Sequence, residues 1–460
     1  MTTFYIEQFG CRATQADGAA IERQLREQGC VVAAGTASAD FVVLNTCTVT
    51  AAADAQARDA IRKIHAANPS TCIIVTGCYA QRAPEEIAAL PGVTHVVGNS
   101  HKPEIPGLLR SISAAPLTSL PDDPAPYHSL APILHGDIFA LSDVLVAPVL
   151  GGEGNHTRPT LKIQDGCNSR CSFCVIPFVR GRSRSLPVAT VLAEIQRLAD
   201  SGFREIVLSG INLGTYGRDL SPRVEFLDLL RRIVDETSVE RLRISSIEPL
   251  DVTQDLIELF ASSDRIAPHF HMPLQSASNR ILGAMHRWYR AEHYARRVEL
   301  IRERLPHAAI GADVITGFPS ETEQEHAGTL QFIAERPFTY LHVFSYSLRP
   351  GTKAAALPAH LSGEIIKRRA RELRALGESK AGEFHESQLG RTLRVLTLHR
   401  DPKDDPTQTP ALSENYLSVM IPEALPHNQW RTVTLTHAKG KNLIALPLES
   451  CSLVHAGESV

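Results

Sequence analysis

Short apolar runs and amphipathic stretches alternate through the first 110 residues of the chain. Four runs have the length and composition of buried strands, at residues 4–9, 41–44, 73–76 and 93–97. Residues 16–28 and 51–67 lie between them and carry apolar side chains at helical spacing, such as Ile21 and Leu25. Strands that alternate with helices of this length predict a doubly wound parallel sheet.

The alternation resumes at about residue 158 and continues to about residue 375. Strand-like runs recur at residues 161–164, 205–208, 242–246, 269–273, 312–315 and 341–347. Helical periodicity separates several of these runs, at residues 188–201, 226–237 and 289–304. Six consecutive β/α units predict either a partial barrel or a large open parallel sheet, and in both the ligands lie at the carboxyl ends of the strands.

Two segments break this pattern. Residues 111–157 contain six prolines and little periodicity, and we interpret them as a linker. Residues 361–384 predict an amphipathic helix, and short strands at 391–399, 417–421 and 430–435 then predict a small β-barrel. The chain is therefore predicted to be an α/β protein whose three domains are residues 1–110, 158–384 and 385–460.

Composition narrows the class of protein. The 460 residues are 43% hydrophobic and 21% charged, with a net charge of −3, which is normal for a globular chain and says little about partners. No uninterrupted apolar run of about 18 residues predicts a membrane span. The start, MTTFYIEQFG, lacks the basic and apolar regions of a secretory signal. We expect a cytoplasmic protein without membrane association.

Nine cysteines, an odd number in a chain without a signal, argue against a disulfide framework and favour metal or redox chemistry. Cys167, Cys171 and Cys174 follow a predicted strand closely, on the loop above the mouth of the predicted barrel. Three thiolates this close together suit an iron–sulfur cluster and leave one iron open. A zinc knuckle that lacks its fourth ligand is the alternative.

A second set consists of Cys11, Cys47 and Cys78, which are far apart in sequence but share one local setting. Each lies just past the carboxyl end of a predicted parallel strand, so the three thiols are expected to converge on one rim of the sheet. Buried structural cysteines are the alternative. Cys30, Cys72 and Cys451 fall outside both sets.

The run Cys167-Asn-Ser-Arg-Cys171-Ser-Phe-Cys174 resembles the signature of radical S-adenosylmethionine enzymes. The resemblance implies that the open iron chelates the cofactor, and that one electron cleaves it to a 5′-deoxyadenosyl radical that abstracts a hydrogen atom. It also implies that Phe173 packs on the adenine of the cofactor. That chemistry belongs to the cofactor, whereas the protein supplies ligation and orientation.

The blocks FGC, NTCTVT and GCYAQ, followed by DGCNSRCSFCVIP, extend the resemblance to the methylthiotransferases of this class. In the block CRATQAD the family more often has Asn at the position of Thr14. This resemblance implies two 4Fe–4S clusters, with Cys11, Cys47 and Cys78 holding the auxiliary one, and a C-terminal barrel called TRAM. The blocks NTCTVT, VTGCYAQ and RISSIEP resemble most the branch that acts on N6-threonylcarbamoyladenosine beside the tRNA anticodon.

The resemblance implies roles for further residues, each of which also has an ordinary structural interpretation. By resemblance, Gly210 meets the amino end of the cofactor, Glu248 accepts hydrogen bonds from a ribose, and Gln275 binds cofactor or substrate. The alternatives are that Gly210 lies in an ordinary βα turn, that Glu248 is a solvated carboxylate and that Gln275 is a turn amide. His269 and His271 share one face of a predicted strand, and core histidines are the favoured interpretation.

Basic segments suggest contact with RNA. Arg180-Gly-Arg-Ser-Arg184 follows the cysteine loop and could neutralise phosphates. Residues 361–400 hold nine lysines and arginines against five glutamates, a possible RNA footprint, although a helix surface with internal ion pairs is the alternative. The expected partners are the tRNA anticodon stem–loop and an electron donor such as flavodoxin or ferredoxin, with the enzyme a monomer.

Three rival functions stay open. The same chemistry could act on isopentenyladenosine in tRNA or on an aspartate of a ribosomal protein. The second cluster could serve electron transfer only, in a radical enzyme that adds no sulfur. A non-enzymatic RNA-binding protein with structural zinc sites would contain zinc in place of iron and would be colourless.

Overall fold

The fold was analysed in a computed structural model, which describes residues 2–114, 130–141, 144, 148–149, 157–401, 403–440 and 442–447. Parts of the interpreted linker and the last residues of the chain, including Cys451, therefore lie outside the described residues. None of the helices in the described ranges combines the length and the apolar composition that crossing a membrane requires.

The N-terminal part is a parallel sheet between helices, as predicted. In chain order its elements are β1 Thr3–Gln8, α1 Arg12–Glu27, β2 Val31–Val32, β3 Phe41–Thr46, α2 Ala51–Ala67, β4 Cys72–Gly77, α3 Cys78–Arg82, α4 Pro84–Ala88, β5 Val93–Gly98, α5 Ile105–Ala114 and β6 Ile133–Leu134. The strands lie in the order β2-β1-β3-β4-β5-β6. β3 is buried along its whole length, because helices cover both faces of a parallel sheet.

The N-terminal sheet extends beyond residue 110. Helix α5 continues to Ala114, and β6, which lies within the interpreted linker, pairs with β5 at the edge of the sheet. Strand β6 is too short for a periodic pattern to reveal it. The division of the chain into domains stays a prediction.

The central part is a partial barrel of β/α units. Its elements are β7 Pro148–Val149, β8 Thr160–Lys162, β9 Gln164–Asp165, α6 Ile176–Arg180, β10 Arg184–Ser185, α7 Val188–Asp200, β11 Glu205–Ser209, α8 Phe226–Glu236, β12 Arg241–Ile244, α9 Gln254–Ser262, β13 His269–His271, α10 Asn279–Ala284, α11 Ala291–Arg304, β14 Ala309–Thr316, α12 Glu323–Ala334, β15 Tyr340–Ser345 and α13 Gly363–Gln388. Parallel pairing joins β8 to β11 and β11 to β12, and it joins β13 to β14 and β14 to β15. A parallel bridge between Leu242 and Ile266 connects the two groups. Of the two predicted alternatives, the structure has the partial barrel.

The C-terminal part is a closed β-barrel, as predicted. Its strands are β16 Thr392–Thr397, β17 Thr409–Ser413, β18 Ser418–Ile421, β19 Trp430–Lys439 and β20 Asn442–Pro447. The sequence pattern does not reveal β17, which contains Pro410 and follows a polar loop. The barrel docks on the central part, where Trp430 lies between the guanidinium groups of Arg241 and Arg394, at 4.1 and 4.2 Å from its ring.

Candidate functional site

The structure brings the three N-terminal cysteines to one edge of the parallel sheet. Cys11 precedes the first residue of α1, Cys47 follows the last residue of β3, and Cys78 is the first residue of α3, directly after β4. The strands β1, β3 and β4 are neighbours and all parallel, so their carboxyl ends meet. This placement agrees with the expected convergence of the three thiols.

Electrostatics also indicates that these thiols face one another. Burial raises the pKa of Cys47 to about 12, and the thiols of Cys78 and Cys11 act in the same direction. Gly10 packs against Cys47 with a φ of 100°, and a Cβ at Gly10 would lie 2.8 Å from the Cys47 Sγ. Cys47 and Cys78 are buried and Cys11 is exposed. Thiols this close together need a cation to become thiolates together, so the site fits an iron–sulfur cluster.

The second cysteine set lies on the loop between β9 and α6. Burial raises the pKa of Cys174 to about 12, and the thiols of Cys171 and Cys167 add to the effect. The loop is closed by hydrogen bonds from the backbone N–H of Cys174 to the Cys171 carbonyl and from the N–H of Cys167 to the Gly181 carbonyl, at 3.2 and 3.1 Å. These three thiols therefore fit a cluster by the same criterion.

Nitrogen donors approach thiols of both sets. The Arg287 Nη1 donates to the Cys171 Sγ at 3.4 Å, and the backbone N–H of Ser169 donates to the Cys167 Sγ at 3.4 Å. In the N-terminal set, the Asn99 Nδ2 donates to the Cys78 Sγ at 3.6 Å. Hydrogen bonds to the sulfurs tune the reduction potential of iron–sulfur clusters, so these contacts agree with the proposed chemistry of the sites.

A cavity of about 200 Å³ adjoins the Cys174 loop and is lined by Phe173, Cys174 and Gln275, among others. Gln275 has a φ of 61°, in the left-handed region, and its buried Oε1 has no hydrogen-bond partner among the described residues. Backbone strain combined with an unpaired buried acceptor is typical of a ligand site. The structure thus brings Phe173 and Gln275 together beside the cysteine loop, and their contact with the cofactor stays a prediction.

Glu248 and Gly210 do not line the smaller cavity, and they have different surroundings. Glu248 forms an ion pair with Arg287 beside the Cys171 thiol, and burial raises its pKa despite that charge. Gly210 follows β11 and lines a second, larger cavity together with Cys11. A Cβ at Gly210 would lie 2.8 Å from the Leu213 Cδ2, so a larger residue there would displace neighbouring side chains.

The larger cavity has a volume of about 540 Å³ and extends into the interior of the central barrel. It shares Val49, Ile176, Asp313 and Phe344 with the smaller cavity, so the two adjoin. Cys11 lines one cavity and Cys174 the other, and the two cysteine sets therefore flank adjoining cavities. A molecule of nucleoside size fits a space of this volume.

A network of imidazole side chains forms part of the wall of the larger cavity. His269 and His271 are both within 2.9 Å of the Tyr340 hydroxyl, and the His271 Nε2 lies 2.9 Å from the Asp313 Oδ1. His342 contacts the same carboxylate at 3.3 Å. Burial alone would raise the pKa of Asp313, but the hydrogen bonds from the two imidazoles lower it. His269 and His271 are buried core residues, as favoured, but they also line the cavity.

The structure corrects the phosphate role suggested for the segment 180–184. Arg180 is buried and forms ion pairs with Asp17 at 3.0 Å and with Asp165 at 2.9 Å. Arg184 is also buried and donates to the carbonyls of Arg180 and Arg182. Only Arg182 of the three arginines is exposed. Local sequence could not reveal the acidic partner on α1.

The basic helix α13 is also more structural than expected. Arg369 is buried and paired with Glu321 at 2.7 Å, and Lys380 is buried and donates to the Ala334 carbonyl. Arg368 pairs with Glu323 and Glu372. Of these partners only Glu372 lies within the helix, so α13 is anchored to the rest of the central part more than it is paired internally.

Sequence reasoning missed three residues of the site. Arg287 contacts both Cys171 and Glu248, but its chain position carries no motif. Tyr416 reaches the cavity from the C-terminal barrel, where no local pattern could indicate it. Arg12 lines the same cavity; burial lowers its pKa, and the charges of Arg158 and Arg243 act in the same direction. Its position next to Cys11 was the one available signal.

Thr14, where the family pattern more often has Asn, contacts the N-terminal set directly. Its hydroxyl lies 3.6 Å from the Cys11 Sγ, and Arg180 donates to that hydroxyl at 3.4 Å. The neighbouring Asn45 donates to the Thr14 carbonyl at 2.6 Å. A polar side chain at position 14 thus still faces the thiol.

The central barrel with its three-cysteine loop defines the class of radical S-adenosylmethionine enzymes, and residues 161–333 match the model of the radical SAM superfamily. Residues 3–98 match the model of the uncharacterized protein family UPF0004. The fold resembles the radical S-adenosylmethionine methyltransferase TsrM of Kitasatospora setae, with a TM-score of 0.56 and 16% identity over 77% of this chain and 75% of that chain. At this identity the likeness supports the fold alone.

Curated relatives match most of the chain. The threonylcarbamoyladenosine tRNA methylthiotransferase MtaB of Aquifex aeolicus is 37% identical over 90% of this chain and 95% of its own length. The enzyme of the same name from Bacillus subtilis is 37% identical over 86% and 85%. The tRNA-2-methylthio-N(6)-dimethylallyladenosine synthase of an Arthrobacter strain is 33% identical over 97% and 84%.

The chain belongs to the radical S-adenosylmethionine methylthiotransferase family, as the sequence predicts. It is an enzyme, a transferase, and its cofactors are S-adenosylmethionine and 4Fe–4S clusters. These conclusions exclude the zinc-binding alternative.

Proposed function

We propose that this protein inserts a methylthio group at C2 of N6-threonylcarbamoyladenosine next to the tRNA anticodon. One geometric observation supports this proposal: the two cysteine sets flank adjoining cavities that share four lining residues. A transfer of sulfur to the atom that has lost hydrogen requires the radical source and the sulfur source to reach one bound base. The names of the two relatives at 37% identity indicate the nucleoside.

The chain's own residues have distinct tasks in this proposal. Cys167, Cys171 and Cys174 hold the cluster that binds S-adenosylmethionine, and Cys11, Cys47 and Cys78 hold the auxiliary cluster. When bound, these groups supply the electron, the radical, the sulfur and the methyl group. Phe173 and Gln275 position the cofactor in the smaller cavity, while Glu248 accepts hydrogen bonds from its ribose and Gly210 meets its amino end.

We also propose the setting of the reaction. The anticodon stem–loop of tRNA is the partner, a flavodoxin or ferredoxin supplies electrons, and the enzyme acts as a cytoplasmic monomer. The three proposed domains are an N-terminal methylthiotransferase domain at residues 1–110, the radical domain at 158–384 and the TRAM-like barrel at 385–460. The linker 111–157 joins the first two and contributes the edge strand β6 to the N-terminal sheet.

Mass spectrometry of tRNA nucleosides tests the reaction and the substrate together. Cells that lack this protein should lose methylthio-threonylcarbamoyladenosine and accumulate its precursor, and wild-type protein should restore it. A variant with Cys47→Ala should not restore it. Loss of the isopentenyl counterpart instead would move the substrate to that branch, and unchanged tRNA would refute the proposal.

A further inference from the structure

The interior of the larger cavity carries positive charge that the protein does not neutralise. Its lining includes the guanidinium groups of Arg12 and Arg243 and a single carboxylate, Asp313. That carboxylate is already engaged by His271 and His342. The cavity wall therefore presents an excess of cations to whatever enters it.

Glu205, behind the cavity wall, does not remove this excess. It is completely buried and pairs with Arg243 at 2.7 Å and with Arg158 at 3.1 Å. Arg241 adds a third guanidinium at 3.6 Å, with Glu414 as its other carboxylate partner at 3.7 Å. One buried carboxylate thus serves two or three guanidinium groups, and buried cations require compensation.

Arg12 is the cation with the least compensation. It is half-buried, it forms no hydrogen bond or ion pair with the part of the chain that the structure describes, and it lines the cavity directly after Cys11. The neighbouring arginines of α1 differ from it: Arg26 is exposed and pairs with Glu22 at 3.0 Å. A guanidinium that projects into a cavity without a partner is a ready binding site for an anion.

Arg243 provides a second, independent observation. It is 1% exposed, its Nε and Nη2 donate to Glu205 and to the Ser413 carbonyl, and its buried Nη1 has no partner among the described residues. An unpaired buried N–H lowers stability unless a ligand supplies the acceptor. Among the described residues, the guanidinium of Arg12 and one nitrogen of Arg243 therefore lack an acceptor.

We propose that Arg12 and Arg243 form a carboxylate-binding subsite, which takes the carboxylate of the threonylcarbamoyl group on the substrate adenosine. The inference rests on the proposed function and adds the residues that select its substrate. A threonylcarbamoyl group carries a carboxylate and a hydroxyl, whereas an isopentenyl group offers only hydrocarbon. The two arginines discriminate between these side chains, because burying the unpaired guanidinium of Arg12 and the unpaired Nη1 of Arg243 against hydrocarbon is unfavourable.

The methionyl carboxylate of S-adenosylmethionine is the other possible source of this anion. The geometry favours the nucleoside, because Arg12 follows Cys11 of the auxiliary set and lines the larger cavity. The residues beside Cys174, where the cofactor binds, line the smaller cavity, and neither arginine is among them. The volume of about 540 Å³ also suits an adenine with a polar substituent.

The test measures equilibrium binding of anticodon stem–loop RNAs to the reconstituted holoenzyme under anaerobic conditions. Three RNAs carry threonylcarbamoyladenosine, its methyl ester or isopentenyladenosine at the same position. We expect the wild-type enzyme to bind the free acid at least about tenfold more tightly than the ester. Equal binding of acid and ester would overturn the subsite without recourse to any variant.

Variants identify the residue. Arg12→Gln should abolish the preference for the acid, Arg12→Lys should retain part of it, and Arg26→Gln, the same change on an exposed part of α1, should leave it intact. An acid preference that survives in Arg12→Gln would refute the role of Arg12. Weaker binding of S-adenosylmethionine with unchanged discrimination between the RNAs would assign the anion to the cofactor, and would equally refute the proposal.

A product assay separates this inference from the proposed function. If the wild-type enzyme converts threonylcarbamoyladenosine in RNA to its methylthio form but binds acid and ester equally, the subsite fails and the function stands. If it forms no such product, the function fails, and the binding ratio still decides whether the cavity recognises a carboxylate.

Discussion

The guanidinium of Arg180 lies 3.0 Å from the carboxylate of Asp17, and this buried ion pair joins the two halves of the site. Asp17 lies on α1, which begins directly after Cys11, and Arg180 ends α6, which follows Cys174 closely. Lys102 also contacts Asp17, at 2.8 Å. The relative position of the two cysteine sets therefore depends on charges that are inaccessible to solvent.

Asp17→Asn should destabilise the protein by about 3–5 kcal/mol, because it leaves buried cations without their carboxylate. Differential scanning calorimetry of the chain before cluster loading measures the effect. Asp59→Asn is the matched control: this carboxylate is exposed and, among the described residues, pairs only with Arg62, so its loss should change stability by less than about 0.5 kcal/mol. Equal effects of the two substitutions would contradict the structural role of Asp17.

The stability of the chain should fall in acid partly through Glu205. Burial alone would raise its pKa, but Arg243 and Arg158 lower it from 4.5 to about 2. A carboxyl group with a lowered pKa stabilises the fold above its unfolded pKa, and this contribution is lost as pH falls from about 4.5 to 2. The melting temperature of the wild-type chain should drop in that window. Glu205→Gln should be less stable at neutral pH and should show a flatter drop.

Cys47→Ala should remove only the auxiliary cluster. Iron per chain should fall from about eight to about four, and methylthiolation should cease. Reductive cleavage of S-adenosylmethionine should continue, because it depends on the other cysteine set. Cys72→Ala is the control on the same sheet: its thiol contacts Thr94 at 3.0 Å and belongs to neither set, so iron should stay near eight. Four irons in the wild-type protein would refute the two-cluster assignment.

Arg287→Met should lower the reduction potential of the cluster held by Cys171. Its guanidinium donates to that sulfur, and removing a donor leaves more negative charge on the cluster. A redox titration followed by electron paramagnetic resonance measures the potential. Arg290→Met, an exposed position nearby, should leave the potential unchanged. An unchanged potential in Arg287→Met would mean that the contact with Cys171 has no electronic effect.

Sequence alone predicted the strands and both cysteine sets well, and the reasons are local. Cys11, Cys47 and Cys78 each follow an apolar run, and in a parallel sheet the carboxyl ends of neighbouring strands meet, so local pattern determined their convergence. The loop at Cys167 depends only on residues within a short segment.

Contacts between distant segments could not be predicted. Whether Arg180 binds phosphate or a carboxylate depends on Asp17, which is 163 positions away in sequence. The lack of a partner for Arg12 among the described residues is likewise a property of the folded cavity, because local sequence does not determine which distant side chains lie near a residue. Strand β17 was missed because Pro410 and the polar residues before it resemble a loop.

The ring of Tyr416 has a consequence for protein engineering. Tyr416 lies in the turn between β17 and β18, stacks on His269 at 4.2 Å and forms part of the cavity wall. A truncation at the end of α13 would therefore open the wall of the larger cavity as well as remove the C-terminal barrel. Chimeras that exchange the C-terminal barrel between relatives would also exchange part of the wall of the larger cavity. An altered substrate range of such chimeras could be mistaken for altered RNA affinity.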